Sequence, residues 1–291
     1  MRVYWKGFAR CLLESFKYLS RIHIFIYTWN KCAELEIALR SLAATNYDNY
    51  KLFVLNNGSS DGTEQLVSTL VPALFREYKI INLPVNIGAA AARNWLYADP
   101  ENRSADYLAY FDDDIEVQPD WLSRMVETLE HHPQAGVVGA KIINASGPKV
   151  VQHSGGVLTQ AEDWINHVVL FTNVSDQGQF DNVSERDYVM GCANLYRRTA
   201  MDDVGMFDIQ FSPTQFDDVD HHLRMRMKGW QVLFNGHVEV RHHRSSGGAA
   251  NANHIANRYK LERKYSADDA AKILSAGASA DFVAKHPWVI R

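Results

Sequence analysis

Tyr107-Leu108-Ala109-Tyr110-Phe111-Asp112-Asp113-Asp114 is the stretch on which the fold turns. Five apolar residues in a row read as a short buried strand, and three carboxylates close it. Strand side chains alternate between faces, so Asp112 and Asp114 are expected to share a direction and Asp113 to take the opposite one. Two like charges 4 Å apart repel by roughly 4 kcal/mol at an effective dielectric near 20. A divalent cation held between Asp112 and Asp114 would remove that cost. The other reading of the same residues is an exposed acidic turn that caps a helix starting near Pro119-Asp120-Trp121.

Upstream, residues 22–27 read as a first strand, followed by a helix over about 33–44. Residues 51–55 form a second strand ending in the turn-rich NNGSSDGT, and helices at about 63–75 and 88–98 flank a short strand at 78–83. Strands alternating with helices of about ten residues imply crossover connections and a mainly parallel sheet. Such sheets bind ligands beyond the carboxyl ends of their strands. Asn56-Asn57 and Asp112–Asp114 both fall there, which points to a nucleotide-type site.

Downstream of residue 135 the spacing predicts short strands at 136–143 and 150–159, a loop over 172–187 and an apolar run at 188–196. A helix near 199–205 and a second, from Phe216-Asp217-Asp218-Val219-Asp220 to about Lys228, precede a strand at 231–241 that ends in His242-His243. The tail reads as helical, with a start signal at Ser266-Ala267-Asp268-Asp269. The expected architecture is therefore α/β. A Rossmann-like nucleotide-binding half (22–115) with a mainly parallel central sheet is joined to an acceptor-side half of mixed strands (116–247). An N-terminal segment (1–21) precedes them and a helical tail (248–291) follows.

The 291 residues suffice for one large domain or two small ones, and 46% hydrophobic content fits an ordinary globular protein. A net charge of −4 leaves no general nucleic-acid footprint. Cys11, Cys32 and Cys192 lie far apart without metal-ligand spacing, which suits a reducing compartment. No stretch reaches the roughly 20 apolar residues of a membrane span. In the first 20 residues, Trp5, Phe8, Leu12, Phe16 and Leu19 fall at helical spacing among Arg2, Lys6, Arg10 and Lys17. Such a segment suits either the headgroup layer of an anionic membrane or packing on the protein's own body.

Several residues carry chemistry. Asn57 has an amide able to donate to and accept from a base edge. NIGAAAARN opens a helix whose N-terminus tolerates an anion, with Arg93 adding a positive charge; tight packing of small residues on the sheet explains the same run. Of Asp217 and Asp218, one is expected to face a cleft and take a proton from an attacking hydroxyl. Asp220 is expected to pair with Arg224 one turn later. His242 shares parity with Val238 and Val240, so it points inward while His243 faces away. Beside two carboxylates it would complete a mixed N/O site for Mn²⁺ or Mg²⁺.

Together these elements resemble the family 2 inverting glycosyltransferases of the GT-A fold. The resemblance covers about residues 22–245. It rests on the order of Tyr27-Thr28-Trp29-Asn30, NNGSSDGT, NIGAAAARN, the triple aspartate, and GCANLYRR followed by FDDVDHHLRMRMKGW. It implies that Tyr27, Trp29 and Asn57 flank or bond the nucleotide base, and that Asp112 and Asp114 hold a metal with the donor's diphosphate and ribose. Arg93, Asp112 and Asp113 are placed on the donor side, Asp218 as the catalytic base, and His242 as the residue completing the metal shell. The chain departs from the family at Asn56, where an aspartate is usual, and at Tyr27-Thr28-Trp29. The implied activity is metal-dependent transfer of a sugar from a nucleotide-diphosphate donor to a glycan or lipid-linked glycan, with inversion. A cytoplasmic location is implied, peripheral on the inner membrane face, with contact through residues 1–20. The Gly247-Gly248 segment is expected to close over the donor. The rival readings are a nucleotidyltransferase and a non-catalytic module that binds nucleotide sugars.

Overall fold

The computed structural model describes residues 19–161, 164–169, 173–243 and 248–275. Strands β1 (Ile22–Thr28), β2 (Tyr50–Asn57), β3 (Tyr78–Leu83) and β4 (Tyr107–Phe111) lie parallel in the order β3-β2-β1-β4. Helices α1 (Cys32–Ala43), α2 (Thr63–Leu74) and α3 (Ala89–Tyr97) make the crossovers. Alternation along the strands sorts the core into two layers. Ile24, Ile26, Leu52, Val54, Ala109 and Phe111 turn toward α1, α2 and α4 (Trp121–His131). Phe25, Phe53, Leu55, Leu108 and Tyr110 turn toward α3 and α5 (Arg198–Val204).

Burial on both faces explains why these strands are apolar without a break. In α1, Leu35, Ala38, Leu39 and Leu42 repeat at helical spacing and all are buried. Phe25 meets Phe53 and Tyr110 edge-on at centroid distances of 5.5 and 5.2 Å, pairs worth about 0.5–1.5 kcal/mol each beyond their buried area.

The second half is mixed. β12 (Ala193–Arg197) runs antiparallel between β4 and β6 (Ala135–Asn144). β6 lies parallel to the long β13 (Gln231–His242), which also carries β5 (Ile115–Val117) and β11 (Val183–Arg186) in antiparallel pairing. β7 (Val150–His153) and β10 (Val174–Ser175) extend the β6 edge, and β8 (Gly156–Ala161) pairs with β9 (Trp164–Val169) in a separate ribbon.

Two expectations are corrected here. The strand read at 150–159 breaks into β7 and β8, because Gly155 takes φ +90°, a conformation that ends a ladder. The loop read at 172–187 contains β10 and β11; polar composition hid strands whose outer faces meet solvent. The amphipathic segment read at 1–20 lies, up to residue 18, outside the described residues, as do Ser245, Ser246 and Gly247.

After β13 come α7 (Gly248–Lys264) and α8 (Ala267–Ser275). Ser266 caps α8: its hydroxyl accepts from the Asp269 N–H at 3.2 Å, while the Asp269 carboxylate accepts from the Ser266 N–H at 3.2 Å. Leu261, Tyr265, Ala270 and Ile273 pack on Phe216, Val219 and Leu223 of the α6 region (α6, Asp217–Met227). Asp220 anchors this contact. Fully buried, it accepts from Arg224 at 3.0 Å, as the i, i+4 spacing predicts, and also from Lys264 at 2.6 Å and Tyr265 at 2.7 Å. Removing one member of a buried ionic group strands the others, at about 3–5 kcal/mol. Asp220→Ala is therefore expected to lower the unfolding free energy by about that amount in urea titration, whereas Glu36→Ala, on an exposed i, i+4 pair with Arg40, costs under about 1 kcal/mol.

Candidate active site

The carboxyl ends of β1, β2 and β4 open into a cleft of about 580 Å³, whose far wall is built by the 190–192 turn, the start of α6 and the end of β13. β4 stops at Phe111, so Asp112–Asp114 form a turn rather than a strand end. This corrects the expected alternation. Asp113 and Asp114 converge on one ammonium, that of Lys31, at 2.9 and 2.7 Å, and all three aspartates line the cleft. The Asp112 N–H donates to the Cys192 carbonyl at 2.8 Å, tying the turn to the approach to β12.

The three carboxyls differ in environment. Burial, opposed by Arg93 and reinforced by Asp114, pushes Asp112 up to about 7. Its Oδ1 is buried without a hydrogen-bond partner, 3.7 Å from the Arg93 guanidinium. Burial also raises Asp113. Against the upward pull of burial, the hydrogen bond and charge of His242 and the Lys31 ammonium bring Asp114 down to about 2.

His242 turns inward with the buried Val238 and Val240, as its parity predicts, and its Nε2 lies 3.1 Å from Asp114 Oδ1. Its Nδ1 meets Gln152 Oε1 at 2.8 Å. An Nδ1 that donates to Gln152 Oε1 leaves Nε2 facing the Asp114 carboxylate. His243 faces away, toward Glu116 at 3.3 Å.

The two acids that open α6 part company. Asp217 is buried, raised by that burial, and paired with Arg93. Asp218 reaches the cleft, where its Oδ2 accepts the Gly191 N–H at 2.7 Å and its Oδ1 accepts from its neighbour Val219 at 2.8 Å. A Cβ on Gly191 would sit 2.8 Å from the Asp218 Cβ, so only glycine lets the turn approach this carboxylate. Gly191 stands inside GCANLYRR, two residues before β12, and that place ahead of a strand was the available signal.

Arg93 is buried between Asp217 and Asp112, with its guanidinium 5.4 Å from the Tyr27 ring centroid. Trp29 stands 50% exposed at the rim. Asn57 lines the cleft, but its amide is engaged within the protein: it donates to Asn86 and accepts from the Ile87 N–H, both at 3.0 Å. NNGSSDGT serves chiefly as scaffold. Asn30 accepts from the Ser60 N–H at 2.7 Å, and Asp61 from the Cys32 N–H at 3.0 Å. Among the described residues, no three His, Cys, Asp or Glu side chains converge as a ready-made cation cage.

A family model described as glycosyl transferase family 2 matches residues 23–205, the span that carries the three aspartates and Gly191. The chain belongs to glycosyl transferase family 2. The description of that family names glycosyl transfer and not nucleotidyl transfer. The chain is 28% identical over 70% of its length to an uncharacterized protein, y4gI, of Sinorhizobium fredii, covering 22% of that protein. It is 21% identical over 74% of its length to the poly-β-1,6-N-acetyl-D-glucosamine synthase of Staphylococcus aureus, covering 48% of it. The chain thus spans less than half the length of these curated relatives. A mannosyltransferase of Pyrobaculum calidifontis, solved in complex with GDP-mannose and Mn²⁺, superposes with a TM-score of 0.62 at 17% identity, over 89% of this chain and 69% of that one. The fold of this family 2 chain is GT-A.

Behind the cleft wall, the Tyr196 hydroxyl and His222 Nε2 lie 2.8 Å apart, and His222 Nδ1 accepts the Val189 N–H at 3.4 Å. Burial pushes His222 down to about 3, so the folded protein keeps it neutral. Above the ordinary value of 6.5 both folded and unfolded forms are neutral and its contribution is full. Below 6.5 the unfolded chain takes up a proton that the folded one refuses, at about 1.4 kcal/mol per pH unit. Urea titrations from pH 7.5 to 5 should therefore show His222→Gln losing less stability on acidification than the wild type, by roughly that slope.

Proposed function

We propose that the chain moves a glycosyl group from a nucleotide-diphosphate sugar to a hydroxyl of a glycan or lipid-linked glycan, with inversion and with Mn²⁺ or Mg²⁺. The observation that carries this reading is the position of Asp218, an accessible carboxylate held by the Gly191 N–H in the same cleft as Asp112–Asp114. Inversion by single displacement needs one base on the acceptor side and no protein nucleophile. In this reading Asp218 takes the acceptor hydroxyl's proton as that oxygen bonds to the anomeric carbon. The bond from that carbon to the diphosphate breaks on the opposite face.

The side chains of Asp112, Asp114 and His242 suit a divalent ion in their chemistry, and taking one up would draw them together, since they do not converge on one point as they stand. Asp112 offers a buried oxygen that accepts no hydrogen bond, and Asp114 with His242 adds a hard oxygen and an imidazole nitrogen. When bound, the ion would supply positive charge to the departing diphosphate. The P. calidifontis enzyme, crystallised with GDP-mannose and Mn²⁺ on the same fold, supports the pairing of donor and cation. Trp29 at the rim and Tyr27 in the cleft offer apolar rings to a base, and Arg93 keeps Asp112 beside a positive charge.

The decisive variant is Asp218→Asn. It is expected to retain binding of nucleotide sugars by calorimetry while transfer falls by about 10²–10⁴-fold; transfer within a few-fold of wild type would remove Asp218 as the base. Among the described residues no helix is long and apolar enough to cross a membrane. We assign membrane contact, at the cytoplasmic face, to residues 1–20 on their sequence pattern. Deleting them is expected to abolish pelleting with anionic vesicles, and undiminished pelleting would reject that assignment.

A further inference from the structure

Lys31 is the residue that the sequence pattern did not single out. It is gripped from both sides by the turn after β2: Asn30 accepts from Ser60 at 2.7 Å and the Cys32 N–H donates to Asp61 at 3.0 Å. Asn30 itself takes φ +52°, a conformation that an asparagine tolerates better than most residues. So held, the backbone sends the Lys31 side chain across to the triple aspartate. Its ammonium lies 2.9 Å from Asp113 Oδ1 and 2.7 Å from Asp114 Oδ2, with 27% of the side chain exposed in the cleft. The other oxygen of Asp114 faces His242 at 3.1 Å. Asp114 therefore has both oxygens engaged, whereas Asp112 keeps one buried oxygen without a hydrogen bond, 3.7 Å from Arg93.

A divalent ion on Asp114 would share that carboxylate with Lys31 and His242. His242 is the one it can keep, since an imidazole is a ligand for such an ion and an ammonium is not. Two cations on one carboxylate also repel each other. We propose that Lys31 is a tethered counter-cation that competes with the divalent ion for Asp114, and that the donor's diphosphate relieves the competition by taking up the displaced ammonium. The proposal rests on the reading of Asp112 and Asp114 as cation ligands. Asp113 is what makes the exchange workable: it retains Lys31 as a pivot while Asp114 is given up. The free protein then holds the divalent ion weakly, and ion and nucleotide strengthen each other's binding.

The test titrates Mn²⁺ into the full chain and follows the free-ion signal by electron paramagnetic resonance, with and without UDP or GDP. Wild type, Lys31→Met, Lys31→Gln and Lys31→Arg are compared, each with its fold checked by circular dichroism. Without nucleotide, the Met and Gln variants are expected to bind Mn²⁺ at least tenfold tighter than wild type, and Arg to stay near wild type. With the nucleoside diphosphate, the wild type is expected to gain affinity for Mn²⁺ and the neutral variants to gain much less. Neutral variants that bind Mn²⁺ no tighter than wild type overturn the proposal. Should they fail to fold, the wild type alone decides, because Mn²⁺ affinity indifferent to either nucleotide also overturns it. Asp112→Asn separates the two levels: if it leaves Mn²⁺ binding with nucleotide untouched, the cation site itself is misassigned and the competition falls with it.

Discussion

Five carboxylates, those of Asp112, Asp113, Asp114, Asp217 and Asp218, line one cleft alongside two permanent cations, Lys31 and Arg93. Each cation is shared: Lys31 between Asp113 and Asp114, Arg93 between Asp217 and Asp112. Like charges at this density in a partly dry cleft are costly unless something positive arrives or some carboxyls hold protons. The structure shows both responses in outline. Asp112 is pushed up to about 7 by its burial, and Asp114 is drawn down to about 2 by His242 and Lys31. The proposed uptake of a cation together with an anionic ligand would meet the same cost.

The fold makes this crowding mechanically stable. Asp112–Asp114 follow a strand packed on both faces, so their backbone is anchored by the core and by the Cys192 carbonyl. Asp217 and Asp218 begin α6, where the first turn of a helix favours negative charge. Two left-handed residues, Gln215 and Phe216, turn the chain into that helix. The Asn257 amide of α7 braces the turn by donating to the Phe211 and Thr214 carbonyls at 2.6 and 2.8 Å. The C-terminal helices thus support the α6 side of the cleft, although they lie outside the residues matched by the family model.

Much of this was legible beforehand. The alternating strands and helices, the placement of Asn56-Asn57 and Asp112–Asp114 at the carboxyl edge of the sheet, the inward turn of His242 and the Asp220–Arg224 pair follow from periodicities of two and 3.6. The misreadings share a cause. Asp113 was assigned to the face opposite Asp114 by extending strand alternation past Phe111, where the strand has already ended. Asn57 looked free to meet a base because the chain 30 residues later that occupies its amide is invisible to a local pattern. Residues 172–187 looked like a loop because edge strands with a wet face are polar.

What the amino-acid order determined by itself is the set of local preferences: which segments bury an apolar face, where helices start, and which residue types stand at the strand ends. Those depend on neighbours within a few positions along the chain. Only the tertiary structure decided that Lys31 reaches Asp113 and Asp114 from 82 and 83 residues away, and that Arg93 pairs with Asp217 from 124 away. It also decided that Gly191 gives its N–H to Asp218. Charge pairing depends on distance in space, and distance in space is set by how the two layers pack on the sheet.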